Sequence, residues 1–377
     1  MRPVTAAAAV TTLLGLGAAT YAAGRYASDS VLRPSPDRPF PGDPRLTVHA
    51  LDADRVTLTR SLASGRPGTY GLRGDGVHAV VGPVLEEVTR SADTLVRRLE
   101  RVVHGVLEPG ARVRLTPQLH VGDPATALGI DSADVSIPGE LGPLPAWSVQ
   151  GPRETWVIAV HGLGATREHP MNLLPFLHRR RIPVLGLGYR GDPDAPRPPD
   201  GLGHLGDTEW RDLDAALRFA VAGGARRVVL YGWSTGATMA LHTAADSALR
   251  DRISGLVLDS PVLDKDATLR ALAAARRTPA ALVPLALRAA RGRAGLYDGR
   301  ELPAPAAADA DALRVPTLIF HGPDDAVAPW AASRELAAHR PGLVSLITVP
   351  GAPHAAMWNA DPARYEEALR RFLTPLM

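Results

Sequence analysis

From about residue 133 onward, short apolar runs alternate along the chain with longer segments of helical periodicity. This alternation predicts an α/β fold with a mostly parallel central sheet flanked by helices, because parallel strands are buried on both faces and need crossover connections. A hairpin over Ala133–Gly151 is expected to lead into the sheet. The further strands are predicted at Trp156–Val160, Pro183–Leu187, Val228–Tyr231, Ile253–Leu258, Pro316–Phe320 and Val344–Val349.

Three helices are predicted in this region, two of them from recognisable start or stop signals. The segment Thr208–Ala222 has an apolar stripe and runs into a Gly-Gly pair, which stops a helix. A second helix is predicted at Ala237–Ala244. The last helix is expected to begin with Asp361 as its cap and Pro362 at its first position, where a missing N–H costs nothing.

The region before the sheet gives mixed signals. Val56–Thr59 alternates apolar and polar residues, as a strand does, whereas Val84–Val103 has a partial helical pattern. We interpret residues 46–132 as an N-terminal extension to which the sequence assigns no role.

The first residues form an apolar stretch. Residues 4–24 contain no charge and lie between Arg2 and Arg25, and this length suits a membrane-spanning helix. We therefore predict that residues 1–33 are an anchor that holds the domain built on the sheet outside the cytoplasm. A cleaved export signal, which would give a secreted protein, and an ordinary apolar helix are the alternatives. The Pro-rich residues 34–45 are typical of a linker.

Composition narrows the function. The chain has 377 residues, 45% of them hydrophobic, which is enough for a sizeable core. The net charge is only +3, and no basic block with interleaved aromatic residues occurs, so no nucleic-acid partner is predicted. The absence of cysteine excludes disulfides and thiolate chemistry. No metal-ligand spacing and no cofactor motif is found, and nothing indicates the oligomeric state.

The clearest chemical signal is the segment Gly232-Trp233-Ser234-Thr235-Gly236, which follows an apolar run directly. A strand that turns straight into a helix strains the corner residue and leaves its side chain exposed, and small neighbours give the backbone room. The corner residue is Ser234. The helix that follows would direct its free N–H groups towards the same place and stabilise a negatively charged oxygen there.

A base and an acid follow the serine along the chain. Sites in open α/β sheets form beyond the carboxyl ends of the strands, where Ser234, Asp325 and His354 are all predicted to lie. A serine hydroxyl needs a base, and an imidazole base needs a carboxylate that fixes its tautomer. Asp324 and Asp259 are the alternative acids. His161 and His321 each follow a strand in a His-Gly turn, and we interpret both as loop-positioning.

Several motifs in this order resemble α/β-hydrolase-fold serine hydrolases, in the branch of monoacylglycerol-lipase-like and serine-aminopeptidase-like proteins. They are HGLGA from 161, YRG from 189, GWSTGA from 232, HGPDDAVAP from 321 and PGAPH from 350. The resemblance covers residues 133–377 and implies that Ser234 is the nucleophile, Asp325 the acid and His354 the base. It also implies an oxyanion hole formed by the N–H groups of Leu163 and Thr235.

This chain departs from the family pattern after Gly191, where DPDAPRPPDG replaces a small turn. The resemblance therefore does not predict the shape of one wall of the pocket. Residues 262–312, rich in Ala, Leu and Arg, are expected to form a helical cap or a peripheral insertion. Ester hydrolysis, with a small-molecule ester as substrate, is the predicted function. Peptide cleavage by the same triad is the first alternative, and an inactive binding protein on a hydrolase fold is the second.

Overall fold

The computed structural model describes residues 26, 29, 32, 33, 45–88, 91–275, 277–279, 282–284 and 312–377. The predicted anchor at residues 4–24 and most of the predicted cap lie outside these residues. Within the part of the chain that is described, no helix is both long enough and apolar enough to cross a membrane.

The N-terminal extension is a closed antiparallel barrel. Its six strands follow one another around the barrel in the order β1-β2-β5-β4-β3-β6, and β6 pairs again with β1. The strands are β1 (Leu46–Asp52), β2 (Arg55–Thr59), β3 (Tyr70–Gly74), β4 (Val77–Val84), β5 (Thr94–His104) and β6 (Arg112–Thr116). Alternate side chains such as Val56, Leu58 and Leu72 are buried and fill the interior. Closure leaves the sheet without an unpaired edge.

The helical pattern predicted over Val84–Val103 is wrong, because the second half of that segment belongs to β5. The alternation of this strand was hidden by Arg97, a charged residue at an inward position between Leu95 and Leu99. The Arg97 guanidinium is fully buried and donates to the carbonyl oxygens of Ser64, Arg66, Gly68 and Gly82 at 2.7–2.9 Å. Burial lowers the pKa of Arg97 to about 10, and the carbonyl partners satisfy its donors.

The rest of the chain is built on an eight-stranded sheet of order β14-β13-β12-β11-β9-β10-β8-β7. Only the hairpin β7–β8 and the pair β8–β10 are antiparallel. The strands are β7 (Ala133–Pro138), β8 (Pro143–Val149), β9 (Thr155–Val160), β10 (Val184–Leu187), β11 (Arg227–Trp233), β12 (Ile253–Asp259), β13 (Thr317–His321) and β14 (Val344–Thr348). The predicted hairpin and parallel strands are therefore present, with ends that differ by one or two residues.

Helices cover both faces of this sheet. They are α1 (Pro124–Leu128), α2 (Leu174–Arg179), α3 (Trp210–Ala222), α4 (Thr235–Asp246), α5 (Lys265–Ala275), α6 (Trp330–His339), α7 (Met357–Ala360) and α8 (Pro362–Leu373). Leu230 of β11 faces the core shared with α3 and α4, and the next residue, Tyr231, faces the core shared with α2 and α8. As predicted, Asp361 caps α8, accepting from the Arg364 N–H at 3.0 Å.

The barrel is docked against loops of the larger domain. Asn359, which is buried, donates through Nδ2 to the carbonyl oxygens of Thr69 (2.9 Å) and Pro117 (2.8 Å). The backbone carbonyl oxygen of Asn359 accepts from the Thr69 N–H at 2.9 Å. Gly68, with φ +87°, comes so close that a Cβ there would lie 2.0 Å from the same oxygen. Ala356 belongs to the apolar core of the barrel.

A second contact lies at Glu168. One carboxylate oxygen accepts from Gln118 Nε2 at 2.5 Å and the other from the Gly122 N–H at 2.7 Å. Both donors belong to the segment that follows the last strand of the barrel. The two domains are therefore joined by hydrogen bonds as well as by the chain between them.

The docking contact can be tested with Asn359→Asp. A carboxylate has nearly the shape of the amide but no N–H, so the carbonyl oxygens of Thr69 and Pro117 would lose their donor and face a negative charge. We expect the free energy of unfolding to fall by about 1–3 kcal/mol or more, measured by urea denaturation. Asp361→Asn is the matched control, because asparagine is an equally good helix cap. Equal stabilities of Asn359→Asp and the wild type would contradict this account.

Candidate active site

The serine corner has the strained backbone that the sequence predicts. Ser234 lies between β11 and α4 with φ 52° and ψ −117°, a conformation rarely adopted by residues other than glycine. Gly232 and Gly236 make the corner possible because they have no Cβ, and neither of them has a positive φ. A Cβ on Gly232 would lie 2.3 Å from the Gly236 backbone, and one on Gly236 would lie 2.3 Å from the Val160 carbonyl oxygen.

Three of the predicted side chains meet beyond the ends of the strands. His354 Nε2 lies 2.7 Å from Ser234 Oγ, and His354 Nδ1 lies 2.7 Å from Asp325 Oδ2. All three side chains are at least nine-tenths buried. With Nδ1 protonated towards the carboxylate, Nε2 presents its lone pair to the serine hydroxyl. The arrangement can therefore remove a proton from Ser234 and store it on His354.

Asp325 is held in the ionised form. Besides His354, its Oδ2 faces His321 Nε2 at 3.0 Å, and its Oδ1 accepts from the N–H groups of Val327 and Ala328 at 2.8 and 2.9 Å. Burial alone would raise the pKa of Asp325, but the charge of His354 and the hydrogen bonds of both histidines outweigh it and hold the pKa well below its usual range. His321 thus contacts the acid, a role that its His-Gly turn did not reveal.

The two alternative acids lie elsewhere. Asp324 Oδ2 accepts from the Gly351 N–H at 2.7 Å. Asp259 accepts from the Ser260 hydroxyl at 3.0 Å and from the Tyr365 hydroxyl at 3.1 Å, and the Tyr365 hydroxyl also bonds to that of Tyr231. Complete burial raises the pKa of Asp259 to about 8, so this carboxyl is mainly neutral at pH 7. Neither alternative has the contact to His354 that Asp325 makes.

The groups expected to form the oxyanion hole are adjacent, but one of them is occupied. The Leu163 N–H donates to the Thr235 hydroxyl oxygen at 2.7 Å. Thr235 is the first residue of α4, so its own N–H is among those that the helix does not pair. A substrate oxygen would have to take the place of the Thr235 hydroxyl at Leu163.

His161 holds the loop that carries Leu163. Its Nε2 lies 2.8 Å from Asp192 Oδ2, its Nδ1 lies 2.9 Å from the Gly162 carbonyl oxygen, and its ring stacks on Tyr189. Asp192 also accepts from the Tyr189 N–H at 2.8 Å. The segment after Gly191, which departs from the family pattern, therefore begins by fixing this loop.

His169, which sequence reasoning missed, also lines the site. It packs against Trp233, and burial together with the charges of His161 and His354 lowers its pKa to about 3, so it stays neutral. Its only sequence signal is its position shortly after the HGLGA motif. No group of three or more His, Asp or Glu side chains in the described ranges is arranged to hold a metal ion.

An apolar cluster covers the Leu163 side of the site. Leu269 and Leu272 of α5, the first helix of the predicted cap, pack in one cluster with Leu163, Leu205 and Leu32. Leu32 is fully buried, and its carbonyl oxygen accepts from the Gly203 N–H at 2.8 Å. The segment assigned to the anchor thus ends in a packed residue beside the site, which the sequence did not indicate.

Two protein-family models match parts of the chain. Residues 155–293 match the family described as the alpha/beta hydrolase fold. Residues 47–116, which cover the barrel strands, match a family described as a domain of unknown function, DUF8805. No curated protein matches the chain.

Among solved structures, the chain is similar to an esterase of Pyrococcus furiosus, Pf2001, in three crystal forms. The first has 22% identity and a TM-score of 0.55 over 68% of this chain and 94% of the esterase. The second crystal form has 21% identity and a TM-score of 0.54, over 68% of this chain and 96% of the esterase. The third has 21% identity and a TM-score of 0.53, over 68% of this chain and 94% of the esterase. The predicted α/β-hydrolase fold is thereby confirmed, and the comparisons support an enzyme of the hydrolase class.

The geometry predicts which residues control the reactivity of Ser234. Ser234→Ala should not react with a fluorophosphonate probe, and Asp325→Asn should react far more slowly, since comparable changes in a triad lower kcat on the order of 10⁴. Asp324→Asn and Asp259→Asn are the matched controls and should stay within a few-fold of the wild-type labelling rate, provided that each variant folds. If Asp325→Asn is labelled at the wild-type rate and Asp259→Asn is labelled far more slowly, the acid is Asp259 and not Asp325.

Proposed function

We propose that this protein is a serine hydrolase that cleaves carboxylic esters through an acyl-enzyme intermediate. The observation that carries the proposal is the chain of two 2.7 Å contacts from Asp325 through His354 to Ser234. A hydroxyl on a strained corner, a base and a buried carboxylate are the parts that nucleophilic acyl transfer needs.

In the proposed first step, Ser234 Oγ forms a bond to the ester carbonyl carbon while His354 Nε2 takes the hydroxyl proton. The carbonyl oxygen becomes negative and is stabilised by the N–H groups of Leu163 and Thr235. His354 then gives its proton to the leaving alkoxide, the ester C–O bond breaks, and the acyl group stays on Ser234. Water then attacks the acyl group in the same way, donating its proton to His354, and the carboxylic acid product is released from Ser234.

Ester cleavage is preferred to the alternatives for chemical reasons. An alkoxide leaves more easily than an amine, which His354 must protonate before it departs. The resemblance to the branch of monoacylglycerol-lipase-like and serine-aminopeptidase-like proteins includes both activities, so the preference rests on the chemistry of the leaving group. An inactive binding protein would have no need of the strain at Ser234.

The preference can be measured on matched neutral substrates. We expect a greater rate enhancement over the uncatalysed reaction for a p-nitrophenyl ester of a short to medium acyl group than for the p-nitroanilide of the same acid. The readout is kcat/KM at neutral pH, with Ser234→Ala as the blank. A greater enhancement on the anilide would favour the peptidase, and no Ser234-dependent turnover of either would favour the inactive protein.

We further propose that residues 1–33 attach the protein to a membrane and that the catalytic domain lies outside the cytoplasm. The support is the uncharged stretch at residues 4–24 and the Pro-rich segment after it. A cleaved export signal, which gives a secreted protein, is the alternative.

Fractionation of cells tests the attachment. The full chain should sediment with membranes, whereas a chain that begins at Arg25, which keeps the buried Leu32, should be released and should hydrolyse a soluble ester at the same rate. The two chains differ only in the apolar stretch. Recovery of the full chain in the soluble fraction with its N-terminus intact would contradict the proposal.

A further inference from the structure

The cleft in front of the triad has walls from both domains. It encloses about 750 Å³, and Gly162 and His354 line it on the side of the hydrolase domain. The opposite side is formed by barrel strands β3 and β6, through residues that include Arg73 and Arg114. This volume is within the usual range for a small-molecule site, about 300–1,000 Å³. The barrel therefore forms part of the cleft in which an ester would bind.

The barrel side of the cleft is basic. Five arginines line the cleft, namely Arg45, Arg66, Arg73, Arg112 and Arg114, together with three acids, Asp75, Glu168 and Asp324. Two of these acids already accept hydrogen bonds described above, Glu168 from Gln118 and Gly122, and Asp324 from Gly351. We name the arginines of the two strands, Arg73, Arg112 and Arg114, the basic wall.

The arginines of the basic wall lie side by side on one face of the barrel. Arg73 of β3 is directly opposite Arg114 of β6 in the antiparallel ladder. Arg112 lies two residues from Arg114 and hence on the same face of the sheet. Folding of the barrel does not require this juxtaposition, because the inward positions Val113 and Leu115 supply the core.

Arg114 also has an unused donor. Its Nε is buried, and among the described residues it has no hydrogen-bond acceptor. A buried donor without a partner is unfavourable. A guanidinium presents parallel N–H groups that match the oxygens of a carboxylate or a phosphate. Arg73 and Arg114 both line the cleft, so an anion bound there would lie beside both guanidinium groups.

From these observations we infer that the basic wall binds an anionic group of the substrate, so that the enzyme acts on small esters that carry a carboxylate or phosphate-type group away from the ester bond. This inference rests on the proposed ester hydrolysis. In this arrangement the hydrolase domain supplies the catalytic side chains, and the barrel selects substrates by their charge.

The test compares esters that differ only at the far end of the acyl group. Mono-p-nitrophenyl adipate carries a terminal carboxylate, its methylamide is the neutral counterpart, and a terminal phosphonate replaces the carboxylate in the third substrate. With the full chain we expect kcat/KM for at least one charged ester to exceed that of the neutral one by about 10-fold or more. The larger of the two ratios identifies the anionic group, and added salt should reduce it.

Variants of the basic wall separate recognition from chemistry. Arg114→Gln and Arg73→Gln should each remove most of the preference, mainly through a higher KM for the charged esters. Arg98→Gln is the matched control, because Arg98 is exposed on β5 opposite Arg55, another pair of facing arginines, and does not line the cleft. It makes the same change in net charge and should retain the preference.

Two results would overturn the inference. One is equal or slower turnover of both charged esters while the neutral ester is still hydrolysed through Ser234, which leaves the proposed function intact. The other is an equal loss of preference in Arg98→Gln and Arg114→Gln, which would mean that net charge rather than the basic wall is responsible. If no ester is cleaved through Ser234, the proposed function itself fails, and this inference fails with it.

Discussion

The contact of Asn359 with the barrel is the constraint on which the rest of the site depends. His354 lies on the long segment between β14 and α8, and such a segment needs partners to hold a side chain within hydrogen-bond distance of Ser234. The Asn359 side chain binds two barrel carbonyls, and Ala356 enters the apolar core of the barrel. The barrel thus helps to hold the loop of the base, and the same docking places β3 and β6 across the cleft.

Within the site, two buried carboxyl groups at the ends of neighbouring strands are driven to opposite protonation states. Asp325 accepts hydrogen bonds from two histidines and two backbone N–H groups, and its pKa is lowered. Asp259 accepts from the hydroxyls of Ser260 and Tyr365, which carry no charge, and burial outweighs its hydrogen bonds and raises its pKa to about 8. Environment rather than residue type therefore decides which of the two can stabilise a positive charge on His354.

The sequence predicted the hydrolase domain well because its signals are local. Apolar runs gave the parallel strands, and the glycines at 232 and 236 indicated the corner at Ser234. The barrel was predicted poorly, since Arg97 interrupts the alternation of β5 and its carbonyl partners lie 15 to 33 residues away in the chain. Arg73 and Arg114 are likewise far apart in the chain, so their pairing produces no periodic pattern in the sequence. The bond from Leu163 to Thr235 was beyond prediction for the same reason.

Natural sequences follow local rules except where function or strain opposes them. The structure breaks such rules at Ser234, whose φ is positive, at Asp259, whose carboxyl is buried and mainly neutral, and at Arg73 and Arg114, which face each other. The first two lie at the contacts of Ser234, His354 and Asp325, where the strained corner places the Ser234 hydroxyl against His354 and a neutral Asp259 avoids a second negative charge beside Asp325. The barrel has a second pair of facing arginines, Arg55 and Arg98, which does not line the cleft, whereas Arg73 and Arg114 border it. An anionic substrate group bound by the basic wall, as inferred above, would place this third exception at a functional site like the other two.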